Sequence, residues 1–185
     1  MPKDKIKRVA VPAILAVLVA MTSTTLMTGA FAVGPTEVTR DGGLHFVGDP
    51  DVTASKTDEG ATLTATGEVA GAGQGAGTAT LDATVSVTVG CITPSGRNEP
   101  QGLEEASTTT TATAPFTPTR QGRGEFTVTT EPISIEDLEV DGEPFECPSA
   151  NMEETIVGDF TFTGITLTID AQTGSIEATF PDVDP

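Results

Sequence analysis

The chain has 185 residues, 27 acids against nine bases, a formal charge of −18, and neither Trp nor Tyr. Such a surface repels phosphate backbones and anionic headgroups alike, so nucleic-acid binding, which needs a basic footprint, is excluded. The missing flat aromatics count against carbohydrate catalysis, because sugar sites on β-scaffolds usually stack pyranose faces on such rings, although acids are numerous enough for a carboxylate pair.

The first predicted element is a leader. "MPKDKIKR" sets Lys3, Lys5, Lys7 and Arg8 against Asp4; the apolar run 9–21 follows, and Ala30-Phe31-Ala32 closes it as a small-x-small site. This order reads as a signal peptide over residues 1–32, cleaved after Ala32. A retained anchor is the competing reading, since no charge falls between Arg8 and Glu37, but "TSTT" at 22–25 breaks the apolar run. No cysteine follows the apolar run to carry a lipid. Cleavage removes four bases and one acid, taking the charge from −18 to −21 and leaving Arg40, Lys56, Arg97, Arg120 and Arg123 as the only bases. High negative charge favours solubility, and a single mature lysine among many acids suits a protein exposed to high salt. Residues 33–185 are long enough for one domain with a substantial core.

Strand patterns then dominate. "ATLTATGEVA" (61–70) alternates with Leu63, Ala65 and Val69 inward. "GAGQGAG" (71–77) is expected to join it to the next strand as a flexible hairpin; a phosphate loop would need a helix behind it, and a Thr-rich strand follows instead. That strand, "TATLDATVSVTVGC" (78–91), places Ala79, Leu81, Ala83, Val85, Val87 and Val89 on one face and five hydroxyls and Asp82 on the other. Alternation of this length predicts a strand with one wet face. In 105–119, Ala106, Ala112, Ala114 and Phe116 share a parity that suits an edge strand able to hold Pro115 and Pro118; the Thr-, Ser- and Pro-rich composition also suits O-glycosylation. No Asn-x-Ser/Thr sequon occurs.

"GEFTVTT" (124–130) turns Phe126 and Val128 inward, and "PISIEDLEV" (132–140) starts as a strand through Ile133 and Ile135 before becoming acidic. In "DFTFTGITLTID" (159–170) the apolar parity switches between Phe162 and Ile165; a bulge at Gly164 restores inward pointing. "AQTG" (171–174) turns the chain into a last strand with Ile176, Ala178 and Phe180 inward. Seven or eight short strands predict an all-β fold, an antiparallel β-sandwich of immunoglobulin-like or related Greek-key type, with a small barrel as the alternative.

Two cysteines and no other thiol in an exported chain favour a Cys91–Cys147 disulfide. There is no CxxC spacing for redox work, and two cysteines with His45 fall short of a zinc ligand set. The pattern Cys91-x4-Gly96-x-Asn98-x-Pro100-x-Gly102, then "RGEFTVTT", Cys147-Pro148 and "FTFTGITLTI" resembles a group of small secreted prokaryotic β-sandwich proteins, over about residues 60–180. The resemblance implies export, the Cys91–Cys147 bridge and an all-β fold, and it implies no catalytic residue. Gly96, Asn98, Pro100 and Gly102 also read simply as turn formers.

His45, the only histidine, lies between Leu44 and Phe46 and opposite their parity, as an exposed strand residue does. No serine sits in a nucleophile elbow. The acidic segment 136–146 is the sharpest candidate site. Asp137-x-Glu139-x-Asp141-Gly142 imitates the start of an EF-hand loop, but the twelfth position is Pro148 rather than a bidentate Glu. A looser Ca²⁺ site at Asp137, Glu139 and Asp141 stands against a solvated acidic turn. The sequence thus leads to a secreted or cell-surface, non-enzymatic protein with a structural or adhesive role and no membrane insertion once the leader is removed; it names no partner, and a cell-surface assembly is one option. An extracellular module for Ca²⁺ or a small molecule is the alternative.

Overall fold

The computed structural model describes residues 32–94 and 100–185. The leader, apart from Ala32, and the turn residues Gly96 and Asn98 lie outside the described residues. Within the described residues, strands follow in the order β1 (Glu37–Gly42), β2 (His45–Phe46), β3 (Asp51–Thr57), β4 (Gly60–Ala70), β5 (Gly77–Ile92), β6 (Gln101–Phe116) and β7 (Gly124–Thr129). A 3-10 turn (Ile135–Asp137) precedes β8 (Glu139–Val140), β9 (Glu143–Pro144), β10 (Glu153–Ile156), β11 (Thr161–Ala171) and β12 (Gly174–Thr179). None of the described helices is long and apolar enough to cross a membrane.

The strands form two antiparallel sheets. The larger runs β1-β12-β11-β5-β6-β8-β9, with β10 also on β5; in the smaller, β4 pairs with β2, β3 and β7. Inward rows from both meet in one core that includes Leu63, Val69, Leu81, Phe160, Phe162, Leu167 and Ile176. The fold is an all-β sandwich. Its centre is β5, which alternates between buried and half-exposed from Gly77 to Val89 as the period-2 rule requires, until buried Gly90, where the register to β6 shifts.

The glycine segment departs from expectation. Residues 71–76 do not form a hairpin, because β4 belongs to the smaller sheet and β5 to the larger. The segment crosses between sheets instead. Gly71 and Gly73 both take φ of +79°, a conformation that favours glycine. Ala72 is buried and donates its N–H to the Gly122 carbonyl at 3.0 Å. The Thr173 hydroxyl donates to the Gly71 carbonyl, and the Gln172 side-chain oxygen accepts from Gln74 N–H at 3.3 Å. Alternation reports which face of a strand is buried, and both strands turn that face to the same core, so it could not distinguish a hairpin from a crossing.

β6 pairs along its length with β5, and beyond it lies only the single Ser107–Glu139 pair of β8. It is therefore an edge strand over most of its length, where Pro115 costs no central ladder bond. In β11 the register shifts between Thr163 and Thr166, and Gly164 has φ +58°. The expected bulge is present, and Phe160, Phe162, Ile165, Leu167 and Ile169 are all buried. The expected strand at 132–140 is replaced. Ile133 makes an isolated bridge to Ala61, and the chain then enters the 3-10 turn. The cause is local: the Asp137 carboxylate accepts from both the Ser134 N–H and its hydroxyl, at 2.8 Å each, a side-chain alternative to the ladder.

Candidate functional site

Cys91 and Cys147 are bonded, with Cα atoms 5.8 Å apart, inside the range a disulfide accepts without backbone movement. Cys91 ends the inward row of β5 and is buried. Both sulfurs are thus committed, and no free thiol is left for nucleophilic or metal chemistry. The bridge ties β5 to the long excursion 131–158, which returns to the larger sheet through β8, β9 and β10.

The acidic residues are distributed along that excursion. Asp137 closes the 3-10 turn on Ser134. Glu139 lies in β8, paired with Pro144 and Ser107. Asp141 and Gly142 form the two-residue turn between β8 and β9, with φ of +53° and +84°. Asp-Gly with both φ values positive is the signature of a type I′ hairpin, and this explains the same dipeptide that imitates a calcium loop. Among the described residues, no group of three or more His, Cys, Asp or Glu is placed to hold a metal ion.

His45 is exposed in β2, with Nδ1 3.2 Å from the Gly43 carbonyl oxygen. It borders a cleft of about 330 Å³ lined from β1, β2, β12 and the 48–50 connection, by Val38, Arg40, Phe46, Asp49 and Ile176 among others. No serine, threonine or cysteine lines that cleft, so His45 has no hydroxyl or thiol there to activate. A second cleft of about 360 Å³ is lined by Lys56, Asp58, Glu59, Glu154 and Phe160 among others. The Lys56 ammonium lies 5.6 Å from the centre of the Phe160 ring and 3.9 Å from the Asp159 carboxylate. Arg123 makes a two-pronged contact to Glu68 at 2.6 and 3.2 Å. Both ion pairs are solvent-accessible and contribute little to stability.

Among the described residues, Phe116, Phe126, Phe160, Phe162 and Phe180 are buried, and Phe46 and Phe145 are half-buried. Hydroxyls are aligned on the outer faces of both sheets, in the smaller one as Thr53–Thr64–Thr129 and Ser55–Thr62, and the larger array is on the larger sheet. There the outward rows of β6, β5 and β11 align as Thr113–Thr80–Thr168, Thr111–Asp82–Thr166, Thr109–Thr84–Thr163 and Ser107–Ser86–Thr161. Sequence reading found the β5 row as a wet face. It could not find the array, because alignment of rows depends on strand order and register. No protein-family model matches this chain, and no curated protein or solved structure matches it either.

Proposed function

We propose that the protein is exported and serves at the cell surface, or just outside it, as a non-enzymatic structural or adhesive module. The observation that supports this reading most is the distribution of its polar side chains. Its hydroxyl side chains spread over the outer faces of a disulfide-stapled sandwich, strand after strand, rather than gathering in a cleft as the polar groups of a catalytic or ligand site do. A disulfide also fits an oxidising compartment.

Crosslinking on intact cells tests the role. Lys56 is the only lysine beyond residue 32, so the reagent should be one that couples carboxylates. The expected result is a crosslinked, high-mass species in the surface fraction. Recovery of the protein only as uncrosslinked monomer would instead favour a ligand-binding module. For that second reading the cleft beside Arg40 and His45 is the place to look, since it pairs a guanidinium with the apolar side chains of Val38, Phe46 and Ile176.

A further inference from the structure

We infer that the outer face of the larger sheet is an ice-binding surface, with the three aligned strands β6, β5 and β11 as its contact area. Across four successive rows these strands present twelve outward positions, of which eleven are Thr or Ser and one is Asp82. Ser107, Thr109, Thr111 and Thr113 are exposed, and the β5 and β11 members are half-exposed. Only Thr111, which donates to Asp82 at 2.5 Å, bonds another side chain of the described residues.

The pairing fixes the repeat. Hydroxyl-bearing positions recur at about 4.8 Å across strands and at about 6.7 Å along them, over roughly 10 by 20 Å. β5 and β6 pair without a shift from Gly77–Phe116 to Val89–Glu104, and the bulge at Gly164 keeps the β11 hydroxyls in the rows. The twist between neighbouring strands, about 20–25°, limits a flat match to these adjacent strands.

Charge and chemistry select the ligand. In a chain with a net charge of −18, this block carries one charge, and that charge is engaged by a neighbouring hydroxyl. Its complement is a neutral, extended surface rather than an ion or a charged polymer. Each Thr hydroxyl both donates and accepts, as every oxygen of an ice lattice must, and a methyl group sits beside it. A charged side chain would instead orient water radially and break that lattice. A neutral polysaccharide shares the hydroxyl chemistry but gains most from aromatic stacking, and no aromatic ring lies among the twelve positions. The ice-binding face stands apart from the surface role argued above and survives or fails without it.

The test is partition of the purified protein into slowly growing ice, read together with inhibition of ice recrystallisation. The expected result is several-fold enrichment in the ice fraction. Thr84→Lys, at the centre of the block, should abolish the enrichment, as should Thr109→Lys on the exposed edge strand should the first variant fail to fold. Ser55→Lys, on the smaller sheet, should retain it. Exclusion of the folded parent protein from ice would overturn the inference. So would equal enrichment of a folded Thr84→Lys or Thr109→Lys variant, or binding to insoluble cellulose or chitin with exclusion from ice.

Discussion

At the residue scale, Phe116 shows how much of the packing rests on two small neighbours. Its ring lies against Gly77 of the larger sheet and Gly124 of the smaller, where an added Cβ would sit 2.3 and 2.6 Å from ring atoms. Gly77→Ala should therefore destabilise by about 1–3 kcal/mol through overpacking. The double variant Gly77→Ala/Phe116→Leu should recover part of that loss, as a denaturant-unfolding cycle would show. Gly164 is the opposite case: an added Cβ meets nothing within 4 Å, but φ is +58°. Gly164→Ala should cost roughly 1 kcal/mol, from backbone conformation alone, and Phe116→Leu should not rescue it. The disulfide is the largest single-bond contribution. Its cysteines are 56 residues apart, and closing a loop of that size stabilises by about 4 kcal/mol in the chain-entropy model. Replacing both cysteines by Ser should lower Tm by roughly 10 °C for a domain of this size; an unchanged Tm would deny the bridge that role.

At the element scale, the 3-10 turn and the β8–β9 hairpin give the acidic excursion a structural explanation. Asp137→Ala removes the acceptor for two Ser134 donors and should cost about 1 kcal/mol, as loss of a cap does. Millimolar Ca²⁺ should leave the Tm of parent and variant alike unchanged at matched ionic strength. A saturable rise in the parent, lost in Asp137→Ala, would place a cation there. The same elements mark where the sequence was readable. β4, β5, β11 and β12 were legible because each buries most of one face, so the period of 2 appears directly in their apolar positions. β1 left no such trace, because all six of its residues are exposed. β3 buries only Val52 and Ala54, too short a row to stand out. Ile133 and Ile135 suggested a strand because Ser134 and Asp137 compete with the ladder through side-chain bonds, which hydrophobic periodicity does not register. Of the candidate site, the cysteine pairing was legible from the count of two cysteines and the expectation of export, whereas the hydroxyl array depends on long-range register and was not.

At the scale of the whole molecule, net charge governs behaviour outside the core. The chain carries 27 acids against nine bases, and among the described residues only Lys56 and Arg123 form ion pairs. The folded state therefore carries self-repulsion that the expanded chain partly escapes. Raising monovalent salt from about 0.01 to about 1 M shortens the screening length from about 30 to about 3 Å, so Tm should climb across that series. A flat or falling Tm would mean that the carboxylates are already compensated within the fold.

The intact mass of the protein recovered from outside the cell tests most directly whether this sandwich, closed by one disulfide, is exported as proposed. The expected species is a chain beginning at Val33, lighter than its reduced form by two hydrogens and unreactive toward thiol reagents until reduced. Recovery from the cytosol of a chain that retains Met1 and carries two free thiols would contradict it.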